Sequence, residues 1–304
     1  KESCPAGFSA CGGLRQQHLR FRRNAILRSK NGENVMYEAC LWPVSNAGVI
    51  LKLGHLSIGI DLFTETEIAP YREMPKELYL PLMGSTKSLD LLLITHTHKD
   101  HYQKSKIEAY LSLHPQCQFY VPSFLLSASQ QTANDQNQAN RYSDITKKVP
   151  KKVLSSSYTS SSLTEPFLDV CSFGHGDTLL HFLSTEHMGQ SKLVHSSILI
   201  QWQNHSIFIS GDARPSHQLY ETLHYLTPQL DVLIAPFPCL SLKSARKNLS
   251  SYFLPRQIFL VHLADPNQDL EQWTLSAKNI CKMADDSLPF PVFCETFGLC
   301  HKLF

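Results

Sequence analysis

The segment Thr95-His96-Thr97-His98-Lys99-Asp100-His101 follows directly on the apolar run Leu91-Leu92-Leu93-Ile94, so four metal-binding side chains fall within six positions at the end of a buried strand. Side chains alternate from face to face along a strand, which points His96 and His98 the same way. Asp100 and His101 then lie on the loop or helix start beyond, where the turn of the chain can bring them to a second ion. Imidazole suits zinc, iron, copper and nickel, and carboxylate tolerates harder ions, so this set favours a first-row divalent metal, zinc first. A His-rich surface loop is the bland alternative, and the ligand spacing argues against it.

The same stretch resembles the HxHxDH signature of the metallo-β-lactamase superfamily, and the likeness runs along the chain from roughly residue 45 to 300. Members of that superfamily carry, in fixed order, an Asp ending an early strand, the His cluster, a single His after a later strand, a Gly-Asp pair closing a hairpin, and a His ending a late strand. Asp61, the cluster itself, His187, Gly211-Asp212 and His262 stand in that order here. The resemblance implies an α/β fold, a four-layered αββα sandwich of two mixed sheets with outer helices. It also implies a metal set of His96, His98, Asp100, His101, His187, Asp212 and His262, with Asp61 supporting the ligand loops from behind.

Chemically, that set divides in two. His96, His98 and His187 make one three-nitrogen site, Asp100, His101 and His262 a neighbouring one, and Asp212 bridges both through its two oxygens. Two ions about 3.5–4 Å apart can hold a hydroxide between them, lowering the pKa of water from 15.7 towards about 7. A closed structural site would fill its positions with protein ligands, usually several Cys, and no Cys joins this set. Asp100 is the expected catalytic group, orienting and helping to deprotonate the attacking water.

The chain has fifteen His, so several compete for the third motif. His187 is favoured over His175, His181 and His195 by its spacing to Gly211-Asp212. His175 belongs to a Gly-rich turn, Phe173-Gly174-His175-Gly176-Asp177, where a structural turn is the simpler role. His195 reads as a supporting or a surface residue, and His55 and His205 sit in hairpin connections that face solvent.

Composition narrows the classes without choosing among them. Charged residues make up 18% and apolar residues 42%, with no apolar run long enough for a membrane span. A formal net charge of +2 and the absence of a dense Lys/Arg run argue against a nucleic-acid partner. Most of the nine Cys, such as Cys171, Cys239 and Cys294, have apolar neighbours and read as reduced core residues, which points to a cytoplasmic setting. Cys4 and Cys11 alone look like a pair, and a chain starting at Lys1 is compatible with a removed signal peptide.

Strands are expected over 47–52, 56–62, 91–95 and 118–121 in a first set, and over 167–172, 178–184, 196–202, 206–210, 232–235, 257–262 and 290–294 in a second. Helices are expected over 104–113, 218–226, 242–252 and 270–283. A single domain is expected over 1–304, with an N-terminal extension of about 1–40 and a polar insertion of about 127–166 whose reading as a lid competes with that of an idle loop. A second insertion, 63–90, carries Tyr71, Met74, Tyr79 and Met83 between the first two motifs.

The segment Val232-Leu233-Ile234-Ala235-Pro236-Phe237-Pro238, then a helix, then Ile258 to His262, looks like the superfamily branch that contains ascorbate-phosphate lactonase. Asp212 and His96 stand where true β-lactamases carry Cys and Asn, which disfavours antibiotic hydrolysis. The expected function is therefore a hydrolase with two divalent ions, zinc first and manganese or iron as alternatives, turning a metal-bridged hydroxide on a lactone or other ester. A phosphodiesterase or a non-catalytic metal-binding sensor is the alternative, and a small-molecule substrate is the expected partner.

Overall fold

The computed structural model describes residues 39–84, 88–120 and 168–304. The Cys4/Cys11 pair and the 127–166 insertion lie outside these residues, as does all of the expected N-terminal extension but Ala39 and Cys40, which open the first strand. In chain order the strands are β1 (Ala39–Pro43), β2 (Val49–Leu53), β3 (Leu56–Ile60), β4 (Leu91–Leu93), β5 (Gln118–Tyr120), β6 (Val170–His175), β7 (Thr178–His187), β8 (Gln190–Trp202), β9 (His205–Ile209), β10 (Val232–Pro236), β11 (Gln257–Val261), β12 (Val292–Phe293) and β13 (His301–Leu303). The helices are α1 (Lys76–Gly84), α2 (Lys104–Leu113), α3 (His217–Leu226), α4 (Pro238–Ser241), α5 (Lys243–Tyr252) and α6 (Trp273–Met283).

These elements make two mixed sheets, one ordered β13-β1-β2-β3-β4-β5 and the other β12-β11-β10-β9-β8-β7-β6. Alternation along β2 sends Val49, Leu51 and Leu53 inward and leaves Lys52 exposed, as a half-buried strand requires. The inward residues Leu51, Ile58, Leu91 and Leu93 meet Leu180, Phe182, Ile198, Ile207, Ile234 and Phe259 of the facing sheet in one core cluster. A second cluster joins the outer face of the β6–β12 sheet to α3, α4, α5 and α6 through Leu199, Phe208, Leu223, Leu240, Leu249 and Cys281. A third covers the outer face of the other sheet with Ile107, Tyr110 and Leu111 of α2. Helix, sheet, sheet and helix thus stack as four layers, the expected αββα arrangement.

Boundaries differ from the sequence expectation where side-chain pattern and hydrogen bonding diverge. β7 extends past the apolar pattern to His187 and β8 begins already at Gln190, with a register shift at Glu186/His187, because each strand satisfies the other's backbone regardless of polarity. The last expected helix starts at Trp273 rather than 270, because the Asp269 carboxylate accepts the N–H groups of Trp273 and Thr274 at 2.8 and 3.0 Å and so caps it. Every cysteine among the described residues but Cys300 is buried, and burial pushes the thiols of Cys117, Cys239 and Cys294 up to about 12. Among the described residues no helix is long and apolar enough to cross a membrane.

Candidate metal centre

Parallel pairing of β3 with β4, and of β10 with β9 and β11, brings the ends of these strands to one edge of the sandwich. Asp61 follows β3, the segment from His96 to His101 follows β4, Asp212 follows β9 and His262 follows β11, while His187 closes β7. Two clusters of ligand atoms result, His96, His98, His187 and Asp212 in one and Asp100, His101 and His262 in the other, each within 4.8 Å. All seven positions read from the sequence therefore converge.

Asp212 joins the two clusters. Its Oδ2 lies 3.3 Å from His101 Nε2, 3.5 Å from His262 Nε2, 3.6 Å from His187 Nε2 and 3.8 Å from His96 Nε2. One oxygen thus faces four imidazoles from both halves, while Oδ1 is buried with no hydrogen-bond partner. Gly211 lets the chain reach this place. Its φ is +51°, and a Cβ there would stand 2.7 Å from His195 Nε2 and 2.8 Å from Thr95 Cβ, so no larger residue fits.

Asp61 supports the cluster from beneath. Its Oδ1 accepts Thr95 N–H at 2.8 Å, and its Oδ2 accepts the Thr95 hydroxyl at 2.6 Å and faces His101 Nδ1 at 2.9 Å. With its proton given to Asp61, Thr95 Oγ1 accepts from His96 Nδ1 at 3.0 Å. Both rings therefore hold a proton on Nδ1, as read from this network, and present Nε2 to the cluster. Asn46, which no sequence motif marked, ties two more members together. Its side-chain amide donates to Asp100 Oδ2 at 3.2 Å, and its carbonyl accepts the His262 N–H at 2.8 Å. His262 Nε2 in turn meets Asp100 Oδ2 at 2.9 Å.

Charges in the cluster are set by burial and by one another. Burial holds His96 well below the usual imidazole range, and the neighbouring His101 adds to this. For His101 burial acts the same way but is outweighed by Asp212 and Asp61, which raise it well above that range. Burial would raise Asp212, yet His262 and His101 hold it well below the usual carboxylate range. Asp100 likewise falls to about 2, because the hydrogen bond from His262 and the charge of His101 outweigh its burial. Tyr71 packs edge-on against the His262 ring, with centroids 4.2 Å apart, and its phenol is pushed up to about 12 by burial and by the charges of Asp100 and Asp212.

The remaining histidines sort by partner. His195 is 1% exposed and so is not a surface residue, with Nδ1 2.6 Å from Thr185 Oγ1, Nε2 buried without a hydrogen-bond partner and its ring 5.0 Å from that of His96. Burial holds it down to about 3. His181 is buried against Ser172 and Gln201, away from the cluster. His175 lies at the β6–β7 turn next to Gly176, at φ +62°, and His55 is exposed. His205 is only partly exposed to solvent, since it stacks on Phe304 at 3.7 Å with Nδ1 3.5 Å from Asp231.

No protein-family model matches the sequence, and no curated protein is similar to it. Solved structures do match. The chain superposes with a TM-score of 0.52 on the metallo-β-lactamase fold protein YhfI from Bacillus subtilis, at 14% identity over 87% of this chain and 99% of that one. The chain has the metallo-β-lactamase fold. Isothiocyanate hydrolase from Delia radicum gut bacteria also superposes with a TM-score of 0.52, at 12% identity over 86% of this chain and 98% of that one. CmlA, a diiron β-hydroxylase from Streptomyces venezuelae, gives 0.52 and 14% identity over 89% of this chain and 55% of that one. Within this fold the His/Asp cluster lies at the edge where the strands end, and it could hold metal ions.

Proposed function

We propose that the protein is a metal-dependent hydrolase that uses His96, His98, Asp100, His101, His187, Asp212 and His262 to hold two divalent cations. One observation carries this reading. His96 Nε2, His101 Nε2, both ring nitrogens of His187 and Asp212 Oδ1 are all buried with no hydrogen-bond partner. A buried polar group left unsatisfied costs about 1–3 kcal/mol, so five of them in one place are retained for something that satisfies them. Imidazole nitrogen with carboxylate oxygen and no thiolate fits first-row divalent ions, zinc first, with manganese or iron as alternatives.

Divalent ions at such a place lower the pKa of water and polarise a carbonyl or phosphoryl oxygen. The chain's own groups supply the rest. Asp100 engages His262 and Asn46 through Oδ2, leaving Oδ1 to orient a water and take up its proton. Asp61 fixes the His101 ring and the start of the His-rich loop, a role that elsewhere contributes 10–100-fold in metal affinity or activity. A lactone or other ester is the leading substrate class, favoured by the lactonase-like run from Val232 to His262, and a phosphodiester is the alternative.

Elemental analysis of protein purified without chelator is expected to give close to two first-row ions per chain. The metal-loaded protein is then assayed on a panel of a lactone, a thioester and a phosphodiester, with lactone or ester turnover expected. Failure to retain or take up zinc or manganese would sink the metal assignment. Full metal loading with no turnover would leave the sensor reading in its place.

A further inference from the structure

The loop between β3 and α1 carries a hydroxyl to the metal edge, and its backbone is stitched to the segments that hold the cluster. Tyr71 N–H donates to Ile68 O at 3.0 Å, and Pro70 O accepts Asp265 N–H at 2.7 Å from the stretch just after His262. Arg72 O accepts the N–H of Asn46 at 3.0 Å, the residue that also braces Asp100 and His262. The Arg72 side chain reaches the other way, donating from Nη2 to Glu295 O at 2.7 Å and lying 4.3 Å above the Phe297 ring. Tyr71 is thus held on both sides, and the T-shaped contact with His262 fixes the direction of its ring.

The hydroxyl has no hydrogen-bond partner among the described residues, although the charges of Asp100 and Asp212 reach it. A half-buried phenol beside two carboxylates would ordinarily donate to one of them. None of the described residues accepts from it, and its ring lies against His262, a member of the cluster in which several buried atoms lack partners.

We infer that Tyr71 contacts the substrate, its hydroxyl donating a hydrogen bond to an oxyanion held beside the Asp100–His262 half of the cluster. The inference rests on the hydrolase reading above and adds a named residue to it. When a nucleophile attacks a carbonyl or phosphoryl centre, the electron pair of the double bond moves onto oxygen. A donor already positioned there stabilises that charge without giving up its proton. Oxygen anions are therefore the ligand class that Tyr71 selects.

Inorganic phosphate serves as the probe, titrated calorimetrically into zinc-loaded protein. Tyr71→Phe keeps the ring against His262 and removes only the hydroxyl. It is expected to bind the same amount of zinc but to hold phosphate about tenfold more weakly, the effect of losing one hydrogen bond to a charged group. Tyr79→Phe, on α1 and outside the cluster, is the control and is expected to match wild type. Equal phosphate affinity in wild type and Tyr71→Phe overturns the inference, as does an equal loss in the Tyr79 control or a zinc-loaded wild type that binds no phosphate. A wild type that takes up no zinc overturns the hydrolase reading itself, and this inference with it.

Discussion

Asp212 and Asp231 are both buried carboxylates next to neighbouring parallel strands, yet they sit at opposite ends of the sandwich and have opposite surroundings. Asp231 precedes β10. Its Oδ2 accepts Ser206 N–H at 3.0 Å, and its Oδ1 meets Gln229 Nε2 at 3.4 Å and Arg256 Nε at 3.3 Å. Asp90, ahead of β4 in the other sheet, repeats the arrangement by accepting both the N–H and the hydroxyl of Ser57 at 2.7 and 2.8 Å. Asp212 follows β9 and faces four imidazoles, with one oxygen left unsatisfied. Burial alone does not distinguish these two carboxylates. What separates them is whether the protein itself completes the hydrogen bonding.

Removing Asp212 is the strongest way to break this contrast. Asp212→Ala is expected to hold at most about one ion per chain and to lose activity by more than the 10–100-fold typical of residues that only brace a ligand. Elemental analysis and turnover numbers check it, and full metal retention would show that the cluster does not converge on this carboxylate. Asp231→Ala should behave in the opposite way. It strands Ser206 N–H and leaves Arg256 without its partner, so a stability loss of about 2 kcal/mol is expected in urea unfolding, with metal content per folded chain unchanged.

Asp286 sharpens the comparison with a satisfied carboxylate near solvent. It accepts two hydrogen bonds from the buried Arg246, at 2.6 and 2.7 Å, and these hold its carboxyl below its ordinary 3.8. Because the folded value lies below the unfolded one, the stability it adds is present above about pH 3.8 and is lost as the pH falls through the lowered value. Asp286→Asn is expected to flatten that acid limb of an unfolding curve by no more than about 1 kcal/mol, given its partial exposure. An unchanged acid limb would mean that the pair adds nothing measurable.

How far the chain could be read from sequence follows the range of the interactions involved. The His-rich segment after β4 is contiguous, and the ligand order from Asp61 to His262 is a linear pattern, so the seven converging positions and the two-sheet layering were both legible. β1 and β13 were not, because Ala39 pairs with Leu303 across nearly the whole chain and a three-residue strand has no measurable period. α1 contains Pro81, which argues against a helix in sequence, and its apolar residues Leu78, Tyr79, Leu82 and Met83 are only partly buried against the outer core. Asn46 and Tyr71 reach the site through contacts to segments distant in sequence, such as Asn46 with Arg72 and Tyr71 with His262. Tyr71 was visible as part of an insertion, but nothing local gave it a role.

Asp61 and His262, one bracing the cluster from below and the other closing it from above, both have left-handed backbones, with φ of +50° and +59°. Each conformation costs an L-residue roughly 1–3 kcal/mol that glycine would not incur. Glycine would relieve that strain but would strand the Thr95 N–H and hydroxyl at position 61 and a contact of the Asp100 carboxylate at position 262, at about 1–3 kcal/mol for each buried group. Both side chains are therefore held by their partners against the preference of their own backbones, and only a variant that had already lost those partners would gain stability from glycine there.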